Sequence, residues 1–310
     1  MIQTETTPKE GAKSTSIGKQ PTWIAELNAL IKIGIVNSNL ITTFVGFWLA
    51  LHYTNQSITT NMSHFILTMI GAAFVIAGGA VLNNWYDVDI DPVMTRTQTR
   101  PTVTGRISLK SALLIGVSLS VIGHVLLLFV SLEATLWAFA GWFTYVVLYT
   151  MWSKRRYTLN TIVGSFSGAV PPLIGWTAIN QELHIVPITL FLIMFIWQIP
   201  HFLALAMKKS EEYKKAQVPM LPAVYGFDMT KRQIVIYIAC LLPLPFLLFS
   251  LGKAFLIIAT VLNIGWLIMG IGGFFSKNDL KWANMIFVYS LNYLTILFIT
   301  MAVVTIDFPF

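Results

Sequence analysis

Apolar residues run through this chain in stretches of about 20, parted by short polar joints. A stretch of that length is what an α-helix needs to cross a bilayer. Strands of a membrane barrel would be half as long and would alternate in polarity, so helices are the expected element throughout. The pattern reads as nine spans, centred near Thr42, Ala73, Ile122, Thr144, Ala169, Met194, Leu242, Leu262 and Phe298. The predicted fold class is therefore all-α: a polytopic membrane protein with nine transmembrane helices around a central cavity and two cytosolic cap loops.

Those loops, Asn83 to Lys110 and Lys208 to Arg232, come after the second and sixth spans, and each joins carboxylates to bases and a proline-bearing stretch. The correspondence suggests a parallel internal repeat facing one cavity. Residues 1–24 are polar and have no apolar core of signal-peptide type, which predicts a flexible cytosolic tail. Residues 25–310 form one transmembrane domain.

Composition agrees with a membrane protein: 56% of the 310 residues are hydrophobic and 11% charged, against about 25% charged in soluble domains. The net charge of +7 does not suggest nucleic acid, because the bases sit in joints between apolar spans. With the N-terminus inside, every one of the 20 basic residues except Lys253 falls on the inner side. The joints Tyr53–His64, Ser131–Thr135 and Asn180–His184 contain none. The positive-inside rule thus predicts a multi-pass protein of the cell membrane with a cytosolic N-terminus and an external C-terminus. The lone cysteine, Cys240, excludes a disulfide framework within one chain.

The chemistry concentrates in NNWYDVDIDPVMTRTQTRP, residues 83–101. Asn83, Asp87 and Asp91 fall at i, i+4 and i+8, so on a helix they point within about 80° of one another. Asp89 lies about 200° around from Asp87 and is expected to be solvated or at most a supporting residue. Pro92 disfavours helical geometry at Asp91. Three oxygen-bearing side chains suit a hard cation, Mg²⁺ better than Zn²⁺. Arg96, Arg100 and Arg106 come next, and guanidinium groups suit phosphate oxygens. The bland alternative, a helix end with solvated acids, is less attractive because charged groups at membrane depth are costly and usually functional. No G-x-x-x-x-G-K-[ST] loop is present. The residues point to a metal-bridged diphosphate at a membrane surface.

NNWYDVDID resembles the N-x-x-x-D-x-x-x-D signature of the UbiA-type intramembrane prenyltransferases. MTRTQTRPTVTGRIS (94–108), NTIVGSFSGAVPPLIGW (160–176) and WQIPHFLALAMKKSEEYKKAQVPMLP (197–222) are similar to the protohaem IX farnesyltransferase branch. The resemblance spans residues 25–306. It implies transfer of a farnesyl group from farnesyl diphosphate to a vinyl group of haem B, giving haem O, with Mg²⁺ as cofactor. It also implies a product passed to a haem A synthase or a terminal oxidase.

Carried over, Asn83, Asp87 and Asp91 match the metal motif, Arg96 and Arg100 its basic partners, and Lys154, Arg155 and Arg156 a basic patch. The second loop departs from the superfamily's second D-x-x-x-D motif: its acids are the adjacent Glu211 and Glu212, with Tyr213 beside them. A second Mg²⁺ held by that pair alone is not implied. Charge dictates the expected chemistry: the diphosphate leaves toward cations, aromatic faces shield the allylic cation, and the vinyl group attacks. Trp85, Tyr86, Tyr149, Trp152, Trp197 and Tyr213 are the candidate rings.

His201, in WQIPH, is a candidate for touching haem, its propionates or the diphosphate, against a structural hydrogen-bonding role. His124 is a weaker ligand candidate. Lys208, with Lys209, Lys214 and Lys215, could meet diphosphate, haem carboxylates or anionic lipid equally well. Pro171-Pro172 must kink the fifth span, and Gly164, Gly168 and Gly175 permit close helix packing. Three rivals remain open: a prenyltransferase acting on a quinone precursor or chlorin, a cation-coupled transporter, and a non-catalytic haem chaperone. The transporter expects acids deep within spans, whereas these lie at a rim.

Overall fold

The computed structural model describes residues 22–306 apart from Leu183, and the described residues contain helices and no strands. The tail to residue 21 lies outside the described residues, and the first helix, α1 (Trp23–Ile31), already begins inside the segment read as tail. Thr22 caps it, its hydroxyl accepting from the Ala25 amide. Lys32 then turns left-handed (φ 54°) and separates α1 from α2 (Ile33–Tyr53). The chain continues through α3 (Met62–Tyr86), α4 (Leu109–Leu128) and α5 (Leu132–Phe143), which runs on as a π-helix over Thr144–Ser153.

Next come α6 (Asn160–Ala169) and α7 (Pro171–Thr177), with Pro171 and Pro172 at the break. Proline is tolerated in the first helical turn but cannot continue a helix before it, so one apolar run becomes two short helices. The remaining helices are α8 (Ile185–Lys208), α9 (Ser210–Lys215), α10 (Leu221–Leu241), α11 (Gly252–Gly272) and α12 (Asp279–Val303).

Seven stretches are long and apolar enough to cross a membrane, and the chain is a multi-pass membrane protein. One of them, Leu221–Phe275, has 55 residues and is broken between Leu242 and Gly252. The sequence pattern centred a span on Leu242, and that is corrected: Pro243 and Pro245 end α10 there. The span centred on Phe298 begins earlier, at Asp279. Its first 14 residues carry Asn284, Ser290 and Asn292, which blunt the apolar signal. The loop expected over Lys208–Arg232 is largely helical, with Lys231 and Arg232 already on α10. Buried Lys231 pairs with Asp279 at 2.5 Å, which satisfies a cation that the loop reading had left in water.

Glycine lets the helices meet. A Cβ on Gly123 of α4 would lie 2.7 Å from the Gly71 carbonyl and the Val75 amide of α3, so these two backbones touch. A Cβ on Gly175 of α7 would meet the Phe47 amide of α2 at 2.7 Å, and one on Gly46 would run into the Pro172 carbonyl. Without a hydrophobic drive between helices in lipid, such contacts supply the packing energy. The outward side is apolar: Ile257, Val261 and Ile268 of α11 and Leu114, Val121 and Leu128 of α4 are all exposed.

Gly175→Leu is expected to destabilise the protein by more than about 2 kcal/mol, because backbone and not a flexible side chain stands in the way. Gly272→Ala, where nothing stands within 4 Å of the new methyl group, should stay within about 1 kcal/mol of the parent. Thermal unfolding in detergent checks both.

Candidate active site

The α3–α4 contact delivers the end of α3 to a buried position. Asn83 is in the last turn and Asp87 caps the helix, its amide donating to the Asn83 carbonyl at 2.9 Å. Asp91 is not on α3: it opens a 3₁₀ turn (Asp91–Val93) forced by Pro92. Its amide still bonds the Asp87 carbonyl at 2.9 Å, so the four-residue spacing survives the end of the helix. Asp87 is fully buried and Asp91 nearly so.

Each carboxylate is met by a base from elsewhere. Asp87 Oδ2 accepts from Lys154 Nζ and from Asn83 Nδ2 (2.8 Å), and Asp87 Oδ1 faces Arg155 at 3.4 Å. Arg100 pairs with Asp91 at 2.5 Å. Arg155 also forks onto both oxygens of Asp89 at 2.7 Å and lies over the Tyr86 ring, 4.9 Å from its centre. Asp89 is thus tied into the group and is not simply solvated. The hydrogen bonds from Arg155 hold its carboxyl below the usual range, whereas burial pushes that of Asp91 up despite Arg100. Asn83 completes the knot, accepting from Lys32 Nζ and donating to Thr150 Oγ1 at 3.0 Å.

Lys154 is aimed by the π-helix before it. Lys154's amide donates to the Tyr149 carbonyl five residues back at 2.9 Å, the bond of a π-turn, and the Thr150 hydroxyl donates to the Tyr145 carbonyl at 2.8 Å. Tyr145 and Tyr149 stack at 5.9 Å, with Gly79 of α3 and Gly164 of α6 making room for their rings. An open cleft of about 500 Å³ borders the group, lined by Asn28, Lys32, Arg96, Thr99 and Arg100 among others.

A model of the UbiA prenyltransferase family matches residues 39–292. The chain belongs to the UbiA prenyltransferase family. A protohaem IX farnesyltransferase of Oceanobacillus iheyensis is 60% identical to it over 308 residues, 98% of each chain. Among solved structures, a digeranylgeranylglyceryl phosphate synthase shares the fold with a TM-score of 0.73 at 21% identity, over 91% of this chain and 98% of its own. A UbiA homologue of Archaeoglobus fulgidus bound to GPP and Mg²⁺ gives 0.64 at 16%, over 89% and 99%.

In this UbiA-family chain the donor set of Asn83, Asp87 and Asp91 is all oxygen, which fits a hard cation that keeps water and phosphate ligands. Among the described residues no group of three or more His, Cys, Asp or Glu is placed to hold a metal. Three acids, Asp87, Asp89 and Asp91, stand against Arg100, Lys154 and Arg155, and Lys32 reaches the same group through the Asn83 carboxamide.

Other expected residues scatter. Arg96 is exposed on the cleft, and Arg156 is exposed with no ion pair among the described residues. Glu211 pairs with Lys214 and points to solvent, while Glu212 pairs with Lys209 at 2.8 Å. Tyr213 packs with Ile90 around Met94, Ala216 and Met220, which joins the two loops. Trp85 packs with Leu30 against α1, and Trp152 sits on Tyr157. His201 is sandwiched between Trp197 (4.9 Å) and Phe287 (4.7 Å). Ser290 donates to the Phe287 carbonyl and so accepts from His201 Nδ1 at 2.7 Å. Trp197 donates to the Ser290 carbonyl, and Lys208 to Asn284. This second group lies between α8 and α12, apart from the first.

Sequence reasoning passed over Lys32, Thr150 and Tyr145. A lysine set alone among apolar residues in ALIKIGIV was the available signal for Lys32; nothing marked the π-helix.

Lys154→Met should cost about 3–5 kcal/mol by stripping a buried carboxylate of its main partner. Asp89→Ala, at a half-exposed pair, should cost less than about 1 kcal/mol. Denaturation of each variant in detergent measures the contrast, and equal losses would contradict the burial argument.

Proposed function

We propose that this UbiA-family protein is a protohaem IX farnesyltransferase (haem O synthase). It transfers the farnesyl group of farnesyl diphosphate to a vinyl group of haem B, with water added, and yields haem O. The observation that carries the acceptor is 60% identity across 98% of both chains to a protein of that name. The donor half rests on the bases around Asn83, Asp87 and Asp91.

Asn83, Asp87 and Asp91 would hold Mg²⁺, which when bound supplies Lewis-acid stabilisation of the diphosphate leaving group. Arg100, Lys154 and Arg155, now on carboxylates, are the groups that take phosphate oxygens, with Arg96 at the cleft. Fixed cations in a water-poor site favour the charge that builds up on the departing oxygen. The stacked faces of Tyr145 and Tyr149 offer electron density to an allylic cation and exclude water from it. No enzyme nucleophile is required. His201 and Lys208, on the α8–α12 wall, are assigned to the haem side. Product passes to a haem A synthase or a terminal oxidase.

The protein sits in the cell membrane with nine crossings, the N-terminus cytosolic and the C-terminus external, and its acid–base group at the inner rim. The count treats α6–α7 as one broken crossing and Leu221–Phe275 as two, a reading supported by the breaks at Pro171 and Pro243. In a Cys240→Ser background, cysteines placed at Ser131 and Asn180 should react with an impermeant maleimide from outside, and one at Ser276 should not. Labelling of Ser276→Cys from outside removes the nine-span arrangement.

Purified protein given farnesyl diphosphate, haem B and Mg²⁺ should produce a hydroxyethylfarnesyl haem detectable by mass, and chelation should stop it. Asp87→Ala should still fold and lose at least about 100-fold in turnover. Alkylation of an aromatic acid in place of haem would instead identify a quinone-pathway enzyme.

A further inference from the structure

Lys32 is the elbow between two helices that the sequence would otherwise allow to run as one. Its backbone is left-handed, φ 54° and ψ 55°. That conformation costs a residue with a Cβ roughly 1–2 kcal/mol, which is why glycine is the usual occupant. Strain of this kind persists only where the surroundings enforce it, and it clusters at functional positions.

The enforcement is visible. Asn84 Nδ2 donates to the Leu30 carbonyl at 2.8 Å, and Arg106 pairs with Glu26 at 3.0 Å. Leu30 itself is sealed against Val81 of α3 and Ala112 of α4. With α1 pinned along that line and α2 running into the bundle, the elbow turns the Lys32 side chain inward. A lysine at a membrane edge ordinarily extends its ammonium to water. This one reaches Asn83 Oδ1, in the middle of the acid–base group.

Two features say what the ammonium is for. Its partner in the structure is a neutral carboxamide oxygen, although Asp87 and Asp91 are close by with bases of their own. The adjoining cleft presents Lys32, Arg96 and Arg100 and no carboxylate, which is an environment for a polyanion. In the function proposed above, Asn83 Oδ1 would be a metal ligand, and the Lys32 ammonium would then be free for phosphate oxygens.

We propose that Lys32 is a diphosphate-binding residue, presented to the prenyl diphosphate by the strained α1–α2 elbow. The inference rests on the farnesyl diphosphate reading and adds a residue from α1–α2 to the binding of the leaving group.

Calorimetry of farnesyl diphosphate binding to the full-length protein in detergent, with Mg²⁺ and without haem, tests it. Lys32→Gly removes the ammonium while suiting the left-handed backbone, so it separates charge from conformation. Affinity should fall about 10- to 100-fold, the loss of one charge-assisted hydrogen bond. The melting temperature should hold or rise, and haem B binding should not change. Lys32→Arg should recover most of the affinity, and Lys32→Met decides the matter if the glycine variant does not fold. Farnesyl diphosphate binding at parental strength in the Gly or Met variant overturns the inference and leaves the enzyme assignment standing. Failure of the parent protein to bind farnesyl diphosphate overturns both.

Discussion

Asp87 is a carboxylate with no access to solvent, placed where an apolar helix ends. An isolated ion in that position would cost far more than a domain's whole stability margin, so the fold must bring it partners. It does so from three directions: Asn83 from the same helix, Lys154 from the end of the π-helix, and Arg155 beside it. Asp91 is met in the same way by Arg100 from the loop, and Asn83 by Lys32 from the elbow. The glycine contact between α3 and α4 is what allows α3 to sit deep enough for this to matter. Ion pairs so buried add little net stability relative to apolar packing. Their persistence in a membrane protein therefore points to chemistry that needs the charges.

The same reasoning separates two walls of the protein. At the end of α3 buried carboxylates and bases meet: Asp87 with Lys154 and Arg155, and Asp91 with Arg100. Between α8 and α12 the groups are neutral or aromatic: His201, Ser290, Trp197 and Phe287, with Lys208 over the Phe287 ring at 4.8 Å. A charged headgroup suits the first wall and a flat conjugated ring the second.

Helical membrane architecture was legible because bilayer thickness writes itself into run length. Asn83, Asp87 and Asp91 were legible because four-residue spacing carries through the end of α3, and Arg100 because a guanidinium so close to carboxylates suits phosphate oxygens. What was illegible depended on tertiary geometry. Arg155 and Arg156 are neighbours in an identical-looking triplet, yet only Arg155 is turned onto Asp87 and Asp89. Asp89, expected to point away, was reached by that arginine from a different segment. The helical segment after Met220 was hidden because it is broken at Gly226 (φ 77°) and then carries Asp228, Lys231 and Arg232, which read as a loop. The span around Leu242 was misplaced because leucines on either side of Pro243 and Pro245 make an apolar run that no helix can track.

The second loop lacks a spaced acidic motif, and its residues serve another purpose. Its glutamates pair with Lys214 of the same short helix and with Lys209 just before it, and Glu211 faces solvent. Its contribution is packing: Tyr213, Ala216, Val218 and Met220 enclose Met94 and so fix the loop that carries Asp91 and Arg100. A metal held by two carboxylates and a carboxamide cancels only part of a diphosphate's charge, and the remainder must fall on side chains. Under the proposed function Lys154, Arg155, Arg100, Arg96 and the inward-turned Lys32 are the bases that would carry it.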